Sequence, residues 1–137
     1  MANTVQLEII TPTKVFDEGQ VEYVRAPSLD GLFGVQSKHA PAIIAMKTGE
    51  IKVVKEGKTN YFSTSGGFAD IRPENVQLLV ETAERGEEID KERAQVSLER
   101  AQENLKVEDA NHARARSALE RSQNRLKVAD LSKHITH

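Results

Sequence analysis

The stretch "ETAERGEEIDKERAQVSLERAQENL", residues 81–105, holds the boundary on which the fold turns. Before it the chain is rich in short alternating runs and punctuated by glycine and proline. From Glu88 onward neither Gly nor Pro occurs, and Ala, Glu, Arg, Lys, Gln and Leu dominate, all good helix formers. Within the quoted stretch the apolar positions Ala94, Leu98, Ala101 and Leu105 step by four, three and four, as one stripe of a helix does. After "KVEDANHA" a second stripe runs Ala115, Leu119, Ser122, Leu126, Ala129. Two amphipathic helices joined by a polar turn fold most simply as an antiparallel hairpin. Its seam of alanines permits close approach but buries little area, so the hairpin is marginal alone and able to detach from whatever it rests on.

Upstream, "TVQLEII" sets Val5, Leu7 and Ile9 on one face and Gln6 and Glu8 on the other, the period of a half-buried strand. Strand-like runs recur at "QVEYVRAP", "FGVQ", "GEIKVVKEG", "TNYFSTS", "GFADIRP" and "NVQLLVETA". Turn residues separate them, among them Leu29-Asp30-Gly31, Glu56-Gly57-Lys58 and Arg72-Pro73-Glu74-Asn75. The pattern predicts an α+β chain. An N-terminal antiparallel β-sandwich or flattened barrel over 1–86 is followed by a C-terminal two-helix antiparallel hairpin over 87–137.

Composition excludes several functions. With 137 residues, no cysteine and a net charge of −2, the chain has no disulfide, no thiolate metal site and no bias toward nucleic acid. No apolar run reaches the length of a membrane span, and the N-terminus lacks the pattern of a secretory signal. The charge is unevenly shared. Residues 1–87 carry nine Lys/Arg against twelve Asp/Glu, and residues 88–137 carry ten against nine. Arg114, Arg116, Arg121, Arg125 and Lys127 face Glu120 alone within 111–127, so the second helix is a cationic rod that suits an acidic partner or an anion.

Asp90, Arg93 and Arg100 fall on roughly one side of the first helix, with Asp90 placed where an N-cap belongs. Arg121 and Arg125, like charges one turn apart, sit on the second. Folded antiparallel, the hairpin brings these arginine pairs into one neighbourhood, and forked guanidinium donors favour a polyphosphate there. No catalytic constellation is present. "STSGGF" lacks the Lys-Ser/Thr of a phosphate-cradling loop. His39, His112, His134 and His137 have no partners at metal-ligand spacing, and Ser63, Ser65 and Asp70 form no triad with His39.

Three segments together resemble one family. "SGGFADIRPENVQLLVETAERGEEIDKERA" (65–94), "GLFGVQSKHAP" (31–41) and "ALERSQNRLKVADL" (118–131) are similar, in order and spacing, to the epsilon subunit of bacterial F-type ATP synthase. The resemblance implies a non-catalytic rotor-stalk subunit of the proton-translocating synthase. It would be held peripherally at the cytoplasmic face of the bacterial inner (plasma) membrane through the complex alone, without contact to nucleic acid. The sandwich would bind the gamma subunit and the c-ring subunits, with Gly31, Leu32, Phe33, Lys38 and His39 at the rotor interface. The hairpin would extend beside gamma toward an acidic segment of the catalytic beta subunit and inhibit ATP hydrolysis.

No cofactor or metal is required. The family's [IL]-D-x-x-R-A motif, here Ile89, Asp90, Arg93 and Ala94, implies ATP as a regulatory ligand of the folded hairpin, with Glu84, Arg100, Arg121 and Arg125 as supporting positions. The chain departs from the family pattern in three places: Leu32-Phe33 lacks an acidic residue, Lys38 stands in place of Gly, and Ser122 in place of a small apolar residue. Two rival classes are a free-standing ATP-binding sensor, which would not associate with gamma, and an enzyme built on the sandwich, which needs a polar pocket the sequence does not show.

Overall fold

The alternation in "VQLEII" survives into three dimensions: Val5, Leu7 and Ile9 are fully buried while Gln6 and Glu8 stay half-exposed. The structure, a computed structural model, describes residues 3–107 and 112–134. Among these, ten strands come first: β1 (Val5–Ile10), β2 (Val15–Val21), β3 (Tyr23–Ser28), β4 (Gly31–Val35), β5 (Ala42–Met46), β6 (Gly49–Lys55), β7 (Lys58–Thr64), β8 (Gly67–Ile71), β9 (Asn75–Val80) and β10 (Ala83–Arg85). A single 3-10 turn at Gly86–Glu88 leads into helices α1 (Lys91–Lys106) and α2 (His112–His134). The link between the helices, residues 108–111, lies outside the described residues, as does His137.

The strands run β10-β7-β6-β3-β5-β8-β9-β1-β2, with β4 paired to β3. β3 meets β5 at one residue pair, Ser28 opposite Met46, and the path folds there into two layers. Val24, Ile51, Val53 and Phe62 from one layer and Leu7, Ile9, Ile71 and Leu78 from the other form one buried cluster. That shared interior makes the sheet a sandwich. The far edges, β2 and β10, are clasped together. Arg85 reaches the buried Glu18 carboxylate through two hydrogen bonds of 2.6 and 3.3 Å, and its guanidinium lies 5.0 Å from the centre of the Phe62 ring. Lys55 Nζ donates to the Glu18 carbonyl at 2.8 Å, closing the flattened barrel.

One pairing departs from the expected antiparallel order. β1 lies parallel to β9, because the N-terminal strand inserts beside the last long strand of its layer. "QVEYVRAP" is not one strand. The chain breaks at Glu22, whose backbone N–H donates to Val54 O (2.8 Å) while its carboxylate accepts from Gly57 N–H (2.8 Å). β2 is interrupted in pairing near Gly19, a residue at φ 70°, where the register against β1 shifts at Leu7/Glu8.

Asp90 caps α1: its Oδ1 accepts from the Arg93 backbone N–H at 3.1 Å. Lys91, at the start of α1, pairs with Asp130 near the end of α2, so the two helices are antiparallel. Both stripes meet in the seam, with Ala94, Ala101, Ala115, Ser122 and Ala129 buried and Leu98, Leu105, Leu119 and Leu126 half-buried. Val128 and Ser132 are buried too, off that stripe, because α2 also packs on the sandwich. Ile89, Ala94, Val128 and Ala129 form a small second core, with Tyr61 of β7 against it. Gly86 sits beneath α2, and a side chain there would overlap Ser132 Oγ and approach Val128 O to 3.0 Å.

Candidate functional site

Two adjoining grooves open along the hairpin, one between α1 and α2 and one where both helices meet the sandwich. The outer one, about 520 Å³, is lined by Glu92, Arg93, Val96, Ser97, Arg100 and Arg125. The inner one, about 510 Å³, shares Ser97, Arg100 and Arg125. It continues between Ala101 and Asn104 of α1, Ala118, Arg121 and Ser122 of α2, and a floor of Ser63, Thr64, Ser65, Thr82 and Glu84. The α-helical repeat dictates this convergence: Arg93 and Arg100 are two turns apart on α1, and Arg121 and Arg125 one turn apart on α2.

Arg125 is held in place. Its Nε donates to Glu84 Oε1 at 2.6 Å and its Nη2 to Glu84 Oε2 at 3.1 Å, a bidentate pair joining α2 to β10. Arg93, Arg100 and Arg121 make no ion pair with any described residue. Three unneutralised guanidiniums beside a fourth that is already fixed favour an anion with several oxygens. Asn124 anchors the same face of α2, donating to Gly49 O at 2.6 Å and Ser63 Oγ at 3.0 Å. Lys127 approaches Glu50 of β6 at 3.8 Å, and Glu50 is paired with Arg25 at 2.8 Å.

The structure therefore gathers Glu84, Arg93, Arg100, Arg121 and Arg125 around connected grooves. It places the other members of the motif differently. The Asp90 carboxylate is occupied as a helix cap, and Ile89 and Ala94 are buried in the small core beneath the hairpin. Sequence reasoning passes over Asn124, Thr64 and Thr82 and weighs Ser63 and Ser65 only as members of a triad, since no periodic signal marks a strand residue that meets a distant helix.

Beside the β3–β4 turn Gly31 and Leu32 are exposed, and Leu29 protrudes with them at 68% exposure. Phe33 instead packs against the core. In the loop that follows, Lys38 adopts φ 64°, a left-handed conformation that glycine accommodates more readily. Its N–H donates to Pro73 O at 3.2 Å, and His39 Nδ1 lies 2.8 Å from Ala40 O. A second apolar surface crosses the outer face of β5, β8 and β9 at Ile43, Phe68 and Leu79, 77%, 57% and 44% exposed. Among the described residues no cluster of His, Asp and Glu is arranged to hold a metal, and no helix is long and apolar enough to cross a membrane.

A β-sandwich that carries a docked two-helix hairpin and leaves two apolar surfaces exposed has the build of an accessory subunit of a larger assembly. Family comparison specifies which. Residues 4–86 match the beta-sandwich domain of the ATP synthase delta/epsilon chain, and residues 87–130 match its long alpha-helix domain. The chain belongs to the ATP synthase epsilon family, and it is a non-catalytic subunit of the F-type complex. It is 44% identical over 105 residues to the ATP synthase epsilon chain of Carboxydothermus hydrogenoformans, covering 77% of this chain and 78% of that one. To the epsilon chain of Staphylococcus haemolyticus it is 44% identical over 108 residues, 78% and 81% of the two chains. The fold is similar to a chain in the mitochondrial ATP synthase of Euglena gracilis (OSCP/F1/c-ring), with a TM-score of 0.81 at 24% identity over 96% of this chain and 82% of that one.

Proposed function

We propose that this subunit is a rotor piece with a nucleotide-sensitive latch. In the docked state seen here, ATP would lie in the paired grooves, its phosphates against Arg93, Arg100 and Arg125. Binding only this state, ATP would hold the hairpin down. When released, α2 with its excess of arginines would extend beside gamma toward an acidic segment of the beta subunit and block hydrolysis. The observation that carries this reading is the convergence of Arg93, Arg100 and Arg121, without ion-pair partners among the described residues, on two connected grooves, the inner of which is floored by the sandwich.

Two separate apolar surfaces support two rotor contacts, since patches of this kind are rarely left open to water. Leu29 and Leu32 at the β3–β4 tip would meet the c ring, and Lys38 and His39, in the loop at the other end of β4, would take a separate rotor contact. Ile43, Phe68 and Leu79 would meet gamma. The chain would thereby sit on the cytoplasmic face of the coupling membrane through the complex.

Isothermal titration of the full chain with ATP and ADP, beside Arg93→Ala and Arg100→Ala, tests the latch. Saturable ATP binding weakened in both variants is expected, and no binding at millimolar ATP refutes the site. For inhibition, the catalytic complex is reconstituted with the full chain or with a chain ending at residue 87. Faster ATP hydrolysis with the shortened chain is expected, and an unchanged rate refutes it.

A further inference from the structure

Ser97 lies on α1 between Arg93 and Arg100, four residues after the one and three before the other, so the three side chains share one face on adjoining turns. It lines both grooves, as Arg100 and Arg125 do, and is half-buried. Across the inner groove α2 presents Arg121, while Arg125 is fixed on Glu84. Four guanidiniums from two helices thus border the space around one hydroxyl. Three of them, Arg93, Arg100 and Arg121, make no ion pair with any described residue. The carboxylates in the grooves do not balance them: Glu84 is engaged by Arg125, and Glu92 borders the outer groove alone. The helix itself gains nothing from serine at this position, since alanine is the better helix former.

We propose that Ser97 is a phosphorylation site whose phosphate ties α1 to α2 through Arg121, with Arg93 and Arg100 sharing its charge. In the transfer, Ser97 Oγ attacks the terminal phosphorus of a nucleoside triphosphate held by a protein kinase. The Oγ–P bond forms as the bond from that phosphorus to the β–γ bridging oxygen breaks. The hydroxyl proton passes to the kinase's base, and the nucleoside diphosphate leaves. A phosphoserine carries about −1.5 to −2 charges at neutral pH and three acceptor oxygens, which suit forked guanidinium donors. Set among cations of both helices, it closes the hairpin; set among carboxylates, it would open it. The proposal draws on the arginines and not on a bound nucleotide, so failure of ATP to bind would remove the site proposed above and leave this one standing.

The test compares the full chain carrying phosphoserine at position 97 with the unmodified chain, without nucleotide, by hydrogen exchange read by mass spectrometry. Exchange in peptides of α2 should slow about tenfold on phosphorylation. In an Arg121→Ala background the two forms should exchange alike. Unchanged or faster exchange in the phosphorylated chain would overturn the proposal, and so would slowing that survives Arg121→Ala. A second arm asks whether the site is used. Phosphopeptide mapping of the chain purified from the cells that make it, both growing and starved, should find phosphate on Ser97; its absence in both states would overturn the assignment.

Discussion

Gly86→Ala should release the hairpin while leaving the sandwich intact. A Cβ built on Gly86 stands 2.9 Å from Ser132 Cβ and 3.0 Å from Val128 O, and overlaps Ser132 Oγ outright. Ordinary contact begins near 3.4 Å. Rotation of Ser132 removes only the hydroxyl conflict, because Ser132 Cβ and the Val128 carbonyl belong to the helix itself. The last turns of α2 must therefore withdraw by about half an ångström or more, against a cluster in which Val128 is fully buried. Overpacking of this kind costs about 1–3 kcal/mol. The cost falls on the docked state alone, so the ratio of docked to released hairpin should drop about 5–150-fold. Gly86 has no left-handed backbone to protect, and alanine slightly restricts the unfolded chain, which works in favour of the sandwich. Hydrogen exchange read by mass spectrometry on the full chain resolves the two parts. Peptides from α2 should lose protection, while those from β1, β6 and β9 retain it. Unchanged protection in α2 would refute the reasoning, and so would parallel loss in α2 and the sandwich strands.

Other perturbations separate the same contacts. Arg85→Ala strands the Glu18 carboxylate, whose side chain is 7% exposed, and should cost about 3 kcal/mol in urea unfolding of the full chain; a change near zero would mean the clasp is idle. Asn124→Ala removes two hydrogen bonds to β6 and β7 and should weaken docking by about 1–2 kcal/mol, visible as faster exchange in α2 alone; unchanged exchange there would discount both bonds. Phe68→Asp puts a charge on the outer face of β8 and should abolish capture of the chain by purified gamma without changing its circular dichroism. Undiminished capture would remove that face from the proposed interface.

Where a segment has one partner, its sequence announces its structure. β1 alternates because one face meets the core and the other meets water, and α1 shows an N-cap and a clean stripe because it packs chiefly against α2. α2 is harder to read, since it lies against both α1 and the sandwich. Val128 and Asn124 serve the second contact and blur the seven-residue repeat of the first. β2 was hidden by Asp17-Glu18-Gly19, which looks like a turn but holds a buried carboxylate, a register shift and a paired strand. β5 was hidden by "AIIAM", whose apolar residues do not alternate although Ile43 points outward. For the candidate site, the helical repeat was enough to bring the arginines together. Asp90 was legible as a helix cap from its position, but nothing in the repeat could show that Glu84 already holds Arg125 or that serines and threonines of distant strands line the inner groove.

Glu84 and Arg85 are neighbours in a strand of three residues, and successive side chains of a strand point to opposite sides. One faces α2 and pairs with Arg125; the other faces the sandwich edge and pairs with Glu18. Departure of the hairpin thus unfastens the first and leaves the second closed. The tear line would run between two adjacent residues, so the sandwich would keep its shape were its appendage to leave.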